Sequence, residues 1–402
     1  MLKNIVVVND FDYIQGGASK VAIQTANVLA ESKYDLNVYF FSAVHDDKSN
    51  LNEKVIQVCS NQKEALKEKN KIKGFFNGLY NFKSKKKFKE LLKTLDNDET
   101  IIHVHGWTKA LSSSVFDIAF KMNFKVVLTM HDYFTACPNG GYFNYKKNEI
   151  CHLKPLSWKC IKCNCDSRNY FFKLYRILRQ FIQNKIVKLN DKLTDVISIS
   201  DFSEKILKET LNPKTKIHKV YNPIQRYDDK TINILNNKNY LYVGRITKEK
   251  GVDLFCEAIT QLDLPGIVVG DGPQFDNLSS KYSNINFVGW KNSEDVREFM
   301  KKSRCLVMPS RWYECAPLTN LEALEIGIPS LVSDCCAASD VSRIDLNTGN
   351  TFELSIEDLK NKLIDFNIVP SKKDIDRVLK KYDYNGYLKR LIEEYDNILG
   401  GN

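Results

Sequence analysis

Short β-branched runs alternate with helical segments through most of the sequence, and few architectures satisfy that pattern. It is the pattern expected of parallel sheets joined by crossover helices. Strands are expected at Asn4 to Val8, Asn37 to Phe41, Ile101 to His105, Lys125 to Met130, Val196 to Ser200 and His218 to Tyr221. A second series falls at Tyr240 to Val243, Ile267 to Val269, Asn286 to Val288, Cys305 to Met308 and Ser330 to Val332. The α/β chain therefore reads as two doubly wound parallel-sheet halves. Its 402 residues exceed one ordinary core and suit two medium domains. The asparagine-rich stretch Arg226 to Asn239 has linker composition, which gives domains at 1–225 and 226–383. Residues 384–402 read as a closing helix that crosses back to the first domain, with leucine, isoleucine and tyrosine at helical spacing.

Hydrophobic residues at 43% and charged residues at 27% exclude a disordered or fibrous chain. No stretch approaches the ~20 uninterrupted apolar residues that cross a bilayer. Met1-Leu2-Lys3 runs straight into Ile5 to Val8, so a cytoplasmic chain is expected. The net charge of +10 is concentrated: lysines crowd Lys63 to Lys93 among Phe75, Phe76, Leu79, Tyr80 and Phe82, and Tyr170 to Lys188 reads as a basic amphipathic helix. Such segments suit either the headgroup layer of an acidic membrane or a solvated face.

The chemistry-bearing motifs lie at strand ends. Gly16-Gly17-Ala18 follows the first strand and opens a helix, where free N–H groups favour an anion. In the second half, Val243-Gly244-Arg245 ends a strand and Lys250-Gly251 follows. Ligands in open parallel sheets sit at the carboxyl ends of strands, so Arg245 and Lys250 are expected to project into the crevice and suit a diphosphate. Gly270-Asp271-Gly272-Pro273 adds a backbone-exposing turn facing the same crevice. Pro309 to Pro317 then leads into a helix, with Pro317 in its first turn, Glu314 in the loop and Glu322 roughly 12 Å further on if the span is helical. Glu322 is placed to grip a ribose and Glu314 the donor sugar.

In this order the motifs, together with Leu128-Thr129-Met130-His131, Ser198-Ile199-Ser200 and Tyr221-Asn222-Pro223, resemble the retaining GT-B glycosyltransferases of the Glu-x7-Glu class, glycosyltransferase family 4, bacterial surface-polysaccharide type. The resemblance implies two Rossmann-like domains facing across a cleft, and a hexosyl transfer from a nucleotide-sugar donor to a glycan, lipid-linked or lipopolysaccharide acceptor, as in capsule or O-antigen assembly. It assigns the donor diphosphate to Arg245 and Lys250, the sugar to Glu314, the ribose to Glu322, and the reacting centre to His131. Gly16, Gly17, Gly244, Asp271, Gly272, Ala316 and Leu318 join the donor contacts, with the Gly17 loop closing over the acceptor side, which His103 and His105 are placed to line. One departure stands out: Cys315-Ala316-Pro317 replaces the family's glycine-rich turn, and proline cannot donate. No catalytic cofactor or metal is expected, because the two cations take the place of a divalent ion. No nucleic-acid partner is expected, and the protein is placed peripherally on the cytoplasmic face of the inner membrane.

An inserted loop, 133–169, carries cysteines. Cys137, Cys151, Cys160 and Cys163 are read as a structural zinc set, with free thiols or disulfides as the alternatives. Two other functions compete. An NAD(P)-dependent oxidoreductase lacks a complete Gly-x-Gly-x-x-Gly here, and a nucleic-acid-binding module would use the cysteine loop and lysines.

Overall fold

The computed structural model describes residues 1–227, 232, 234–344 and 346–400. Seven parallel strands form the first sheet: β1 (Asn4–Phe11), β2 (Asn37–Val44), β3 (Ile56–Cys59), β4 (Thr100–Val104), β5 (Lys125–Thr129), and, after a short antiparallel pair β6 (Phe143–Asn144) and β7 (Glu149–Ile150), β8 (Asp195–Ser198) and β9 (Lys216–Lys219). Their order is β3-β2-β1-β4-β5-β8-β9. The second sheet contains β10 (Asn239–Val243), β11 (Gly266–Val269), β12 (Ile285–Gly289), β13 (Ser303–Met308), β14 (Ser330–Ser333) and β15 (Gly349–Phe352), ordered β12-β11-β10-β13-β14-β15 and also parallel. Both are covered by helices on two faces, which is why β1 and β14 are buried along their whole length.

Strand order reverses beside β1 in one sheet and beside β10 in the other, next to β4 and β13 respectively. At such points the loops leave in opposite directions and open a crevice at the carboxyl edge. The linker expected at Arg226 to Asn239 falls partly on residues 228–231 and 233, outside the described residues; within the rest, Ile234–Asn236 is a 3-10 turn.

The C-terminal helix, Tyr384–Gly400, packs into the first domain's core through Tyr387, Leu391 and Tyr395. It is pinned there by Tyr387 Oη to Thr25 Oγ1 (2.6 Å) and by Glu394 to His218 (2.6 Å). The outgoing and returning passes of the chain touch, since the Ile224 N–H donates to the Tyr382 carbonyl (2.9 Å) and the rings of Tyr221 and Tyr382 lie 5.4 Å apart. Among the described residues no helix is long and apolar enough to cross a membrane.

One glycine sets the loop between β10 and its helix. Gly251 has φ +68°, and a Cβ there would lie 1.9 Å from the Pro309 carbonyl oxygen at the end of β13. Only glycine lets these backbones cross so closely. Gly251→Ala is expected to cost about 3 kcal/mol from the left-handed conformation and the clash combined. A urea midpoint equal to that of the wild type would refute this.

Candidate functional site

The two carboxyl edges enclose a cleft of about 460 Å³. Of the residues read from sequence, Gly17, His131, Gly244, Lys250, Glu314, Ala316, Leu318 and Glu322 line it.

Glu314 is 8% exposed, and its carboxylate is held from two sides. Lys250 Nζ lies 2.8 Å from Oε2, and the Ser310 hydroxyl donates to Oε1. Its backbone makes a parallel bridge to Cys336, and its carbonyl accepts from the Ala337 N–H (3.1 Å). Lys250 also sits over the Trp312 ring, 5.5 Å from the centroid. Burial of a carboxylate is tolerated because a cation and a hydroxyl reach it directly.

Glu322 occupies the helix Thr319–Glu325 and pairs with Lys20 Nζ (2.8 Å), one turn into the helix Gly17–Ala30 of the other domain. Sequence reasoning missed Lys20, whose partner stands 302 positions away. The domains also meet where the Ser200 hydroxyl donates to the Cys315 carbonyl, and where Tyr313 packs against Tyr133, Tyr142 and Phe202.

Several expectations need correction. Pro317 precedes the helix, which begins at Thr319, so the span from Glu314 to Glu322 is only partly helical. Arg245 does not project into the cleft. Its side chain is 73% exposed and turns back toward the buried Glu249 (3.5 Å), while the Tyr242 hydroxyl donates to its carbonyl (2.8 Å). Asp271 and Gly272 lie outside the lining, because this turn packs on the neighbouring loop: the Ile246 N–H donates to the Asp271 carbonyl, and a Cβ on Gly272 would meet the Ile246 oxygen at 2.4 Å. Gly16 also stands just outside, at the start of the uncapped helix Gly17–Ala30.

His103 and His105 do not line the cleft, being 0% and 1% exposed. They back it instead. His103 bonds Tyr395 Oη and Thr129 Oγ1 (both 2.6 Å), and His105 Nδ1 bonds His131 Nε2 (2.9 Å) with the rings stacked. Burial holds His103 and His131 down at about 3 and His105 well below its usual value. The ring that faces the cleft is thus a neutral imidazole. Beside it lies Asp132, also missed from sequence, whose carboxyl burial pushes up to about 6. The pair His131-Asp132 was visible in the sequence, but the burial that makes the carboxyl unusual was not.

The cysteine loop does not present the expected zinc set. Among the described residues no three histidine, cysteine, aspartate or glutamate side chains are grouped to hold a metal ion. The Cys137 thiol donates to Asn139 Oδ1 (3.1 Å), and the buried Lys173 ammonium donates to Cys160 (3.4 Å) and Cys165 (3.2 Å). This buried N–H···S arrangement, with Arg176 on Asp166 (2.7 Å), organises the loop.

Two helix-covered parallel sheets facing across a charged cleft define the GT-B class. A family model described as Glycosyltransferase Family 4 matches residues 15–226, and one described as Glycosyl transferases group 1 matches 224–382. An uncharacterised 42.6 kDa protein in the cps region of Klebsiella pneumoniae is 25% identical over 66% of this chain and 65% of its own length. Among solved structures, a sucrose-phosphate synthase from Thermosynechococcus elongatus aligns over 100% of both chains at 16% identity and TM-score 0.68. Anabaena HepE in complex with UDP aligns over 98% of this chain and 100% of its own at 13% identity and TM-score 0.64. The chain belongs to this glycosyltransferase family, and the oxidoreductase reading falls away.

The buried histidines carry a pH signature. They stay neutral in the fold but bind protons near 6.5 when the chain unfolds, so their stabilising contribution is complete above about 6.5 and lost as pH falls toward about 3. The melting temperature is expected to drop between about pH 7 and about pH 4.5, with a shallower slope in His103→Gln. A flat profile would show that these rings titrate freely.

Proposed function

We propose that this enzyme moves a sugar from a nucleoside-diphosphate donor to a glycan or glycolipid acceptor with retention of configuration, in the assembly of a bacterial surface polysaccharide. The observation that carries the reading is the convergence of Glu314, Glu322 and Lys250 on one cleft between two carboxyl edges. Glu322 accepts from the ribose hydroxyls, which requires Lys20 to give way, and Glu314 accepts from the sugar hydroxyls. The bond between the anomeric carbon and the diphosphate oxygen breaks toward Lys250, whose charge stabilises the departing group. Arg245 joins it by leaving Glu249. The acceptor hydroxyl adds to the anomeric carbon from the face that the diphosphate leaves, and its proton passes to the departing phosphate oxygen. The uncapped N–H groups at the start of Gly17–Ala30 face the same space and suit an anion.

On the acceptor side, neutral His131 offers one ring nitrogen to a sugar hydroxyl while His105 fixes the other, and Asp132 accepts as a carboxylate above about pH 6. Lys250 and Arg245 supply the charge that a divalent ion would otherwise bring. Support for a nucleotide donor comes from HepE with UDP, and for surface polysaccharide from the Klebsiella cps relative. The enzyme works at the cytoplasmic face of the inner membrane.

A thermal-shift panel of UDP-, GDP-, ADP- and dTDP-sugars is expected to give a selective response that Glu322→Ala abolishes. Glu314→Gln is expected to lower turnover about a hundredfold or more, and product NMR to report the donor's anomeric configuration. A response to none of the four, inverted product, or activity lost to chelator and restored by magnesium would each defeat the corresponding part of the proposal.

A further inference from the structure

The helices Lys71–Leu79 and Tyr170–Phe181 lie side by side on the first domain, and neither contributes to the cleft. Two glycines fix their facing. A Cβ at Gly78 would sit 1.9 Å from Tyr175 Oη, and one at Gly74 would sit 2.3 Å from the Ala65 carbonyl oxygen. Each mid-helix glycine weakens the helix; Gly78 gains close contact with the second helix, completed by Phe75 and Tyr175 at 5.1 Å between rings, and Gly74 gains close contact with the preceding segment at Ala65.

With the glycine face turned inward, the opposite face turns to water. Ile72 and Phe76 are 71% and 61% exposed, and Phe171, on the second helix, is 82% exposed. Leu174, Leu178 and Phe181 continue the same apolar row. Between the helices runs a groove of about 540 Å³ with Leu66, Phe75, Phe171 and Phe172 on its walls and Lys71 and Arg168 beside them. Glu64 and Glu68 are already matched by Lys67 and Lys73, which leaves Lys69, Lys71 and Arg168 as surplus positive charge around the row. A contiguous apolar row of this kind on a water-soluble face marks a contact surface. Its aromatic rings within a cationic rim match the boundary between acyl chains and anionic headgroups.

We infer that this two-helix face docks on an anionic phospholipid bilayer, with the phenylalanines inserted at the acyl boundary, one lipid chain in the groove and its phosphate against Lys71 and Arg168. The face adjoins the cleft. Ala65 N–H donates to the Lys109 carbonyl (2.9 Å), Gln15 donates to Glu64 (3.0 Å), and Lys109 donates to Gln15 (2.9 Å), which directly precedes the Gly16-Gly17 turn. Docking therefore sets the headgroup plane beside the acceptor side of the cleft. On the proposed function, which this last step rests on, a lipid-linked acceptor reaches the cleft without leaving the membrane.

The test is co-flotation of the full chain with phosphatidylcholine vesicles prepared with and without phosphatidylglycerol, in the absence of donor and acceptor. Binding is expected only to the phosphatidylglycerol vesicles and to weaken as salt is raised. Phe76→Glu and Phe171→Glu are each expected to weaken it about tenfold or more, and Lys69→Glu with Lys71→Glu to weaken it as well. All four side chains are exposed, so melting temperature and the nucleotide-sugar response are expected to stay at wild-type values. Equal binding by the wild type and Phe76→Glu/Phe171→Glu, no binding to anionic vesicles, or a wild-type dimer that these substitutions dissociate would overturn the inference. Vesicle binding retained without any nucleotide-sugar response would leave this surface standing and defeat the glycosyl-donor reading instead.

Discussion

A carboxylate held as far from water as that of Glu314 persists only if opposite charge and hydrogen-bond donors reach it, and the centre of the molecule is arranged around that demand. Lys250 arrives because the loop after β10 crosses the end of β13 at Gly251, where no side chain fits. Ser310 is itself steadied through its carbonyl, which accepts from Ser333 Oγ (2.6 Å) and Cys335 Sγ (3.1 Å). Cys315, the residue after Glu314, accepts through its carbonyl from the Ser200 hydroxyl of the other domain. Local charge compensation and domain apposition therefore share one short segment, Ser310 to Cys315.

The first domain solves a different problem. His131 faces the cleft, and two further imidazoles stand behind it, with a tyrosine and a threonine bonding the innermost, and burial keeps all three uncharged. This gives His131 a fixed ring plane and keeps positive charge off that wall of the cleft. Tyr395 ties that array to the C-terminal helix, so the returning end of the chain helps shape that wall of the cleft.

The eleven strands read from sequence are all present. Nine are runs largely buried on both faces, whereas β9 and β12 are half-exposed edge strands, and β9 starts and ends two residues before the expected His218 to Tyr221. Those not read were β3 and β15 and the small pair β6 and β7. Ile56 and Gln57 of β3 are exposed at a sheet edge, and β15, GNTF, carries two polar residues, so neither has a continuous apolar signal. Glu314 and Lys250 were legible because they lie in loops leaving strand ends, and Glu322 because it sits on the helix that follows one such loop; the position of these loops relative to the crevice follows from topology. Side-chain direction was not legible in the same way. Arg245 turns away because of Glu249, Lys20 matters because of a helix in the other domain, and Asp132 is unusual only through burial. The cysteine spacing suggested a metal, whereas a lysine from a later helix satisfies two of the thiols.

The adjacent outgoing and returning passes bear on how the two halves can move. A single connector would leave them free to swivel and twist like beads on a thread, but two strands of backbone laced by the Ile224–Tyr382 bond act as paired pins. Two passes resist a twist of one half against the other more than a single pass would, and leave bending about the line through them as the softer motion. A bend of that kind parts Lys20 from Glu322 and on reversal returns it to the same carboxylate, much as a door meets its own latch plate.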